Sequence, residues 1–389
     1  MPTSPATKPT VSIFSGLSRR VWWWIGGSVG AVVIGCSAIG SPRLKVSKLG
    51  HLVDCAKFEL QQRSHRLSVL PIVILYLNNI CDSRCVTCSI WKNNEALKLP
   101  DERQMSDALL KELYSELPKW NPRQILLSGG EPAIHPRFPE VIRKFKSLPS
   151  SVCVVSNGLL LGSNEPADLQ QVSEFYISFD APDRKSYETI RGVDGFERLA
   201  RSVAVLNSLP HRPRIVARCT LQRANVGRIP ELTKAAREMG FDAISFLGVD
   251  VASSAFSRDL HGVPDARAIQ PTREDLTQMR DGIESLRSTG SGFIEGGVEK
   301  LERLLQYFRA LLGETEFPEV RCNAPWFSTV IETTGAIRGC FFQPIIGDFR
   351  SVNGEKSLGF RRSLDVRIDP TCNRCVCSKV LATRDLLRM

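Results

Sequence analysis

Histidine is scarce in this chain, five residues in 389, and none lies close in sequence to the cysteines that cluster in it. That removes the usual nearby partner of a closed structural zinc site. A basic surplus is missing from most of the length as well. Residues 1–70 hold nine Lys and Arg against two Asp and Glu, so +7 of the +10 net charge sits there and the rest of the chain carries only +3. A nucleic-acid-binding surface on the main body is therefore not indicated. There is no internal repeat beyond an alternation of apolar and helical stretches, no low-complexity tract, and no constellation that reads as a general base. His135 reads as a loop residue and not as an acid catalyst.

Cysteine is what the chain has in excess, twelve residues, and they are clustered. Cys81, Cys85 and Cys88 form one group, and Cys322, Cys340, Cys372, Cys375 and Cys377 another. Cys36, Cys55, Cys153 and Cys219 stand alone, and Cys55 and Cys153 read as small buried hydrophobes. Disulfide frameworks belong to small secreted chains, whereas clustered cysteines in an enzyme-sized chain point to metal.

Val21 to Gly40 runs twenty residues without a charge, long enough to cross a bilayer as a helix, with Trp22, Trp23 and Trp24 where an interfacial belt would sit. A membrane anchor is one reading. A cleaved export signal is another, since Ser18-Arg19-Arg20 resembles a twin-arginine signal and Val33-Ile34-Gly35-Cys36 a lipoprotein box. A mis-assigned start, or a helix packed on the body, is the third. Residues 44–62 are expected as an amphipathic helix with Leu49, Leu52, Val53, Ala56 and Leu60 on its apolar face, lying on an anionic membrane or packed on the next domain.

From residue 71 short β-branched runs alternate with helical stretches. The strand-like runs are 71–77, 124–128, 152–156, 175–179, 214–221 and 243–249; helices are expected near 105–117, 137–147, 184–208 and 228–239. Six βα units imply an α/β fold, a parallel sheet curled towards a partial (βα)6 TIM-like barrel with function at the C-terminal strand ends. Residues 251–271 read as a loop and 272–314 as one or two polar helices. The expected organisation is an N-terminal segment with an apolar helix (1–66), a barrel (67–260), a helical connection (261–319) and a small cysteine-rich domain (320–389).

The spacing C-x3-C-x2-C follows the first strand-like run. Three thiolates hold three corners of a 4Fe-4S cubane and leave the fourth iron open to chelate a small molecule. A zinc site is the structural alternative. At this point the chain resembles the radical SAM superfamily, and the likeness runs across residues 71–250. The resemblance implies that Cys81, Cys85 and Cys88 hold a SAM-binding 4Fe-4S cluster. It further implies that the GGEP element at Gly129, Gly130, Glu131 and Pro132 contacts the methionine moiety of S-adenosyl-L-methionine. Two glycines there let backbone approach a ligand closely. Ser156 and Asn157, and Ser178 and Asp180, correspond to positions lining the SAM pocket, and Arg191 to an arginine common after the fourth strand. A carboxylate partner for Arg191 in SAM and a solvent salt bridge both remain open. Arg218 and Cys219 lie on opposite faces of the fifth run, and only one can point into the barrel. One position departs from the pattern: Thr87 stands where many relatives place an aromatic residue that packs on adenine, with Trp91 as a substitute.

The second group opens as C-x12-G-x4-C, with Gly335 between Cys322 and Cys340, which resembles the SPASM and Twitch extensions of radical SAM enzymes. Those carry auxiliary clusters. Five cysteines fall short of the seven of the full pattern, so one auxiliary 4Fe-4S cluster is expected, on Cys322, Cys340, Cys372 and either Cys375 or Cys377, with structural zinc as the alternative.

The resemblance implies reductive cleavage of SAM to a 5'-deoxyadenosyl radical that abstracts a substrate hydrogen. It names no catalytic side chain. A low-potential donor such as ferredoxin or flavodoxin is implied, which places the body on the cytoplasmic face of a membrane or free in the cytoplasm. A membrane lipid or isoprenoid held near the bilayer is the first expected substrate and a peptide or protein the second; a non-catalytic iron-sulfur or zinc redox protein is the reading from another class.

Overall fold

In a computed structural model of the chain, residues 48–64, 66–289 and 292–386 are described. Val21 to Gly40 lies outside them, and among the described residues no helix is long and apolar enough to cross a membrane.

The six apolar runs form six parallel strands: β1 (Ile72–Asn78), β2 (Gln124–Gly129), β3 (Ser151–Ser156), β4 (Glu174–Ser178), β5 (Arg214–Leu221) and β6 (Ala243–Gly248). They neighbour one another in chain order, so this part of the sheet has the order of a partial barrel and ends at β6. Parallel strands covered on both faces carry apolar side chains at successive positions, and all seven residues of β1 are buried. Val73, Leu75, Ile125, Leu127, Ile177 and Cys219 face the helices in the main core. Ile72, Ile74, Tyr76, Leu126 and Cys153 face the other way, towards the inside of the curve.

This parity decides which residue of β5 points inward. Cys219 is fully buried against the helices, and Arg218 lies inside, its guanidinium 5.8 Å from the ring centre of Tyr176.

Three expectations change. The stretch 184–208 is two helices, Arg184–Arg191 and Phe196–Asn207. Gly192 ends the first at φ +67, and a Cβ there would lie 2.5 Å from the Arg84 carbonyl oxygen. The N-terminal helix, Lys48–Ser64, packs on the body through a different face from the one its apolar pattern suggested. Val53 and Leu60 are 45% and 61% exposed, while Asp54, Cys55, Phe58 and Gln61 are buried. The polar pair is held from afar: Asn121 Nδ2 donates to Asp54 Oδ1 at 2.7 Å and Arg123 pairs with its other oxygen. Gln61 accepts from Val69 N at 2.9 Å and donates to the Trp326 carbonyl.

The C-terminal section starts by joining the barrel's own sheet. β7 (Ser328–Ile331) runs parallel to β1, and β8 (Ala336–Arg338) and β9 (Ile345–Asp348) continue antiparallel, giving nine strands in one sheet. Helices Arg273–Thr289 and Gly297–Leu311 lie between barrel and C-terminal section. The second is not simply polar, because it buries Val298, Leu301, Leu304, Tyr307 and Phe308.

Candidate functional site

The loop that leaves β1 carries Cys81, Cys85 and Cys88, all half-buried and none in a disulfide. The loop is tied through backbone and side chains to four separate segments. Arg84 N and Val86 N donate to the carbonyls of Arg191 and Ile190 at 2.8 and 3.1 Å, the end of helix Arg184–Arg191. Asn157 Nδ2, beyond β3, donates to Asp82 Oδ1 at 2.6 Å and to Ser83 Oγ at 3.0 Å. Asn94 closes the start, accepting from Cys81 N and donating to Cys81 O at 3.1 and 2.7 Å. Arg258 Nη2 donates to the Thr87 carbonyl at 2.8 Å.

The glycines of GGEP pack against this same loop. A Cβ on Gly129 would lie 2.3 Å from Asn78 O and one on Gly130 2.0 Å from Ile80 O. Gly130 N and Glu131 N donate to those two carbonyls at 2.7 and 3.0 Å. The close approach anticipated for a ligand is therefore made, in the first instance, by the backbone that launches the cysteines.

Burial raises all three thiols, Cys85 to about 11, with the Arg191 charge working in the opposite direction. At neutral pH they are thiols until a metal displaces the proton. A tetrahedral zinc would draw sulfurs to about 3.8 Å of one another. Among the described residues, no three His, Cys, Asp or Glu side chains are gathered as a single-ion site. Three soft donors with no fourth protein ligand in the same loop suit a cubane with an open iron.

The polar residues expected around SAM meet at the same strand ends. Glu131 is fully buried, and its carboxylate accepts from Ala133 N (3.0 Å), Ser156 Oγ (2.8 Å) and Asn157 N (2.7 Å). Burial pushes its carboxyl up to about 7. Asp180 accepts from Thr220 N at 2.7 Å and from Arg191 Nη1 at 2.9 Å. The Arg191–Asp180 pair is buried, so the solvent salt bridge is replaced by an internal one. Arg191 Nε is buried without a hydrogen-bond partner among the described residues. Burial opposes its charge, and the Asp180 carboxylate beside it favours it. Ser178 sits half-buried at the end of β4, in register with Arg218. Glu131, Ser156, Asn157, Asp180 and Arg191 thus brace one another and the cysteine loop.

The segment expected as a loop over 251–271 carries short helices at Arg258–His261 and Ala266–Ile269, and its first part supplies contacts that no motif announced. Phe256 and Ser257 take left-handed backbone angles, φ 61 and 60. Such conformations are costly for residues with side chains and are retained where the surroundings enforce them. Here Ser89 N donates to Phe256 O at 3.2 Å, and Arg258, paired with Asp250 at 2.8 Å, reaches Thr87. Trp91 lies half-buried with Lys92 Nζ 5.9 Å from its ring centre.

The second cysteine group is also assembled, none of it in disulfides. Burial raises Cys340 to about 11, and Cys322 and Cys377 add to the rise. It raises Cys372 to about 12, with Asp369 and Cys340 contributing. Cys375 is raised by burial and by Cys377, Cys340 and Cys322. Gln343 Nε2 donates to Cys372 Sγ at 3.0 Å and Cys377 N to Cys375 Sγ at 3.3 Å. Cys377 is the thiol that feels Arg218 and Lys300 from the barrel interior.

Residues 75–221 match the radical SAM superfamily. Over 170 residues the chain is 28% identical to GTP 3',8-cyclase of Chlorobaculum tepidum, covering 43% of this chain and 50% of that one. Over 169 residues it is 26% identical to PqqA peptide cyclase of Gluconobacter oxydans, covering 43% and 45%. The chain spans about half the length of the curated relatives it matches. Its fold is similar to that of Streptococcus suis SuiB bound to precursor peptide SuiA, with a TM-score of 0.58, 16% identity and coverage of 88% of this chain and 79% of that one. It is similar also to anSMEcpe with bound AdoMet, with a TM-score of 0.53, 15% identity and coverage of 79% and 88%.

Proposed function

Because residues 75–221 are a radical SAM domain, we propose that the chain is an enzyme that cleaves SAM at a cluster on Cys81, Cys85 and Cys88 and acts on a peptide or protein. The bound cluster would supply one electron, splitting SAM into methionine and a 5'-deoxyadenosyl radical that takes a substrate hydrogen. The chain's own residues hold and exclude. Gly129 and Gly130 seat the cysteine loop, Asn157 and the Arg191–Asp180 pair fix its far side, and the barrel wall keeps water and stray hydrogen donors from the reacting atoms. The single observation that carries this reading is the cysteine loop, held at its start and middle by Gly130, Glu131, Asn157 and Arg191, residues its family motif names.

The peptide substrate is favoured by a fold likeness that covers 88% of this chain and whose counterpart is bound to a precursor peptide. The lipid substrate has no such support, since it rested on Val21 to Gly40. In the C-terminal section, Cys322, Cys340, Cys372 and one of Cys375 and Cys377 would hold a SPASM- or Twitch-like auxiliary 4Fe-4S cluster, beside a cavity of about 300 Å³ lined by Cys322, Trp326 and Arg361. A body on the cytoplasmic side, supplied by a ferredoxin- or flavodoxin-like donor, belongs to the same proposal.

Anaerobic reconstitution with iron counting and a 5'-deoxyadenosine assay tests it. About eight irons per chain with deoxyadenosine formation supports both clusters; about four with formation removes the auxiliary one. Zinc at the triad, or no deoxyadenosine from the dithionite-reduced protein, ends the enzyme reading.

A further inference from the structure

Inside the barrel two cations meet on one hydroxyl. Lys300 Nζ, from helix Gly297–Leu311, donates to Ser245 Oγ at 3.1 Å, and Arg218 Nη1, from β5, donates to the same oxygen at 3.3 Å. Ser245 is fully buried and Lys300 is 4% exposed, while Arg218 keeps part of its surface open. Among the described residues, neither cation has a carboxylate within ion-pair distance. Glu295, the acid whose charge Lys300 feels, pairs with Arg214 at 2.8 Å, and Glu174 pairs with the same arginine and accepts from Tyr176 Oη at 2.9 Å.

A hydroxyl group offers hydrogen bonds but no countercharge. Taking an ion from water into a protein interior costs several kcal/mol unless an opposite charge meets it, and like charges placed side by side add to that cost. Burial and the Arg218 charge accordingly lower the Lys300 ammonium to about 7, and structure alone gains nothing from such a pair. An oxyanion arriving between the two nitrogens would reverse the balance, accepting from the guanidinium, the ammonium and the Ser245 hydroxyl together.

The place suits a substrate. Ser178, Arg218 and Ser245 stand in register across β4, β5 and β6, so the cations sit one strand from the serine expected at the SAM pocket. A singly charged group suits better than a doubly charged one, because Glu295 Oε2 is buried nearby without a hydrogen-bond partner among the described residues and would repel the second charge.

We infer that Arg218, Lys300 and Ser245 form a subsite for the carboxylate of the peptide or amino-acid substrate. This deepens the function proposed above and rests on it, but its test does not need SAM cleavage. The full chain, purified anaerobically with its iron, is titrated with sodium acetate, sodium phosphate or sodium chloride at constant ionic strength, and its melting temperature is followed. Acetate at about ten times its dissociation constant is expected to raise the melting temperature by about 2 °C over chloride. Lys300→Met and Arg218→Gln are expected to abolish that increment. Lys300→Met should also leave the acetate-free melting temperature unchanged or higher, since it removes a buried amine whose charged form burial and Arg218 disfavour.

An equal or larger shift with phosphate overturns the carboxylate assignment. A shift that survives both substitutions, or none in the wild type, overturns the subsite. A fall of several degrees in Lys300→Met without acetate shows that Lys300 supports the fold instead, and loss of iron in either variant shows that the cations serve the neighbouring thiols. A chain that forms deoxyadenosine yet ignores acetate disproves the subsite alone; one that binds acetate but cleaves no SAM disproves the enzyme reading alone.

Discussion

Arg191 and Asp180 form a buried ion pair at 2.9 Å whose arginine also caps the path of the cysteine loop, because its backbone carbonyl accepts from Arg84 N. One residue thereby links the fourth strand's exit to the cysteine loop by side chain and by main chain. Removing one partner of a buried pair leaves the other charge uncompensated, which typically costs about 3–5 kcal/mol. Arg191→Met is expected to lose that much in urea unfolding. Adding Asp180→Asn should restore part of it, since asparagine keeps an oxygen for Thr220 N and carries no charge. A double-mutant cycle that is additive would dismiss the pairing.

Gly130 gives a local test of how the triad is placed. Alanine there would set a methyl 2.0 Å from the Ile80 carbonyl oxygen, a backbone atom that cannot move without dragging Cys81. Gly130→Ala should lower iron from roughly eight to roughly four per chain while far-UV circular dichroism stays unchanged. Undiminished iron would mean that the loop does not depend on this contact.

The six strands were legible because parallel strands covered on both faces spell out continuous apolar runs, as 71–77 does. The cysteine triad and GGEP were legible because they are local in the chain. What stayed hidden depends on distant partners. Asp54 and Gln61 occupy the buried side of the first helix only because Asn121, Arg123, Val69 and Trp326 satisfy them, so the apolar pattern of that helix pointed the wrong way. Arg258 reaches a carbonyl 171 positions earlier, and no periodicity in a loop encodes that. The pairing of β7 with β1 likewise joins segments more than 250 residues apart that share only an apolar, β-branched character.

The second cysteine group has one thiol more than a cubane needs. Cys375 and Cys377 both lie near Cys340 and Cys322, and of the two only Cys377 also faces Arg218 and Lys300. The fourth ligand is thus expected to be Cys375, with Cys377 turned to the barrel. Cys375→Ala should drop iron to roughly four per chain and Cys377→Ala should leave roughly eight. The reverse pattern would exchange their roles.

His135 makes stability depend on pH in a direction that can be worked out. Its Nδ1 accepts from Arg137 N at 3.0 Å, so the proton must sit on Nε2, which donates to the Met105 carbonyl at 2.9 Å. Burial lowers its pKa from the usual 6.5. Below 6.5 the unfolded chain takes up a proton that the folded one resists, so this residue weakens the fold as pH falls from 7 to 5. Glu131 acts in the opposite sense. Its carboxyl, pushed up from 4.5 to about 7, holds a proton in the folded state that the unfolded chain has released, which strengthens the fold over the same interval. The net slope of the wild type is a difference between the two, and the informative quantity is the change on substitution. His135→Gln keeps one acceptor and one donor but cannot be protonated. Its urea midpoint should rise relative to that of the wild type as pH falls from 7 to 5, and a constant gap between the two would mean that His135 ionises alike in both states.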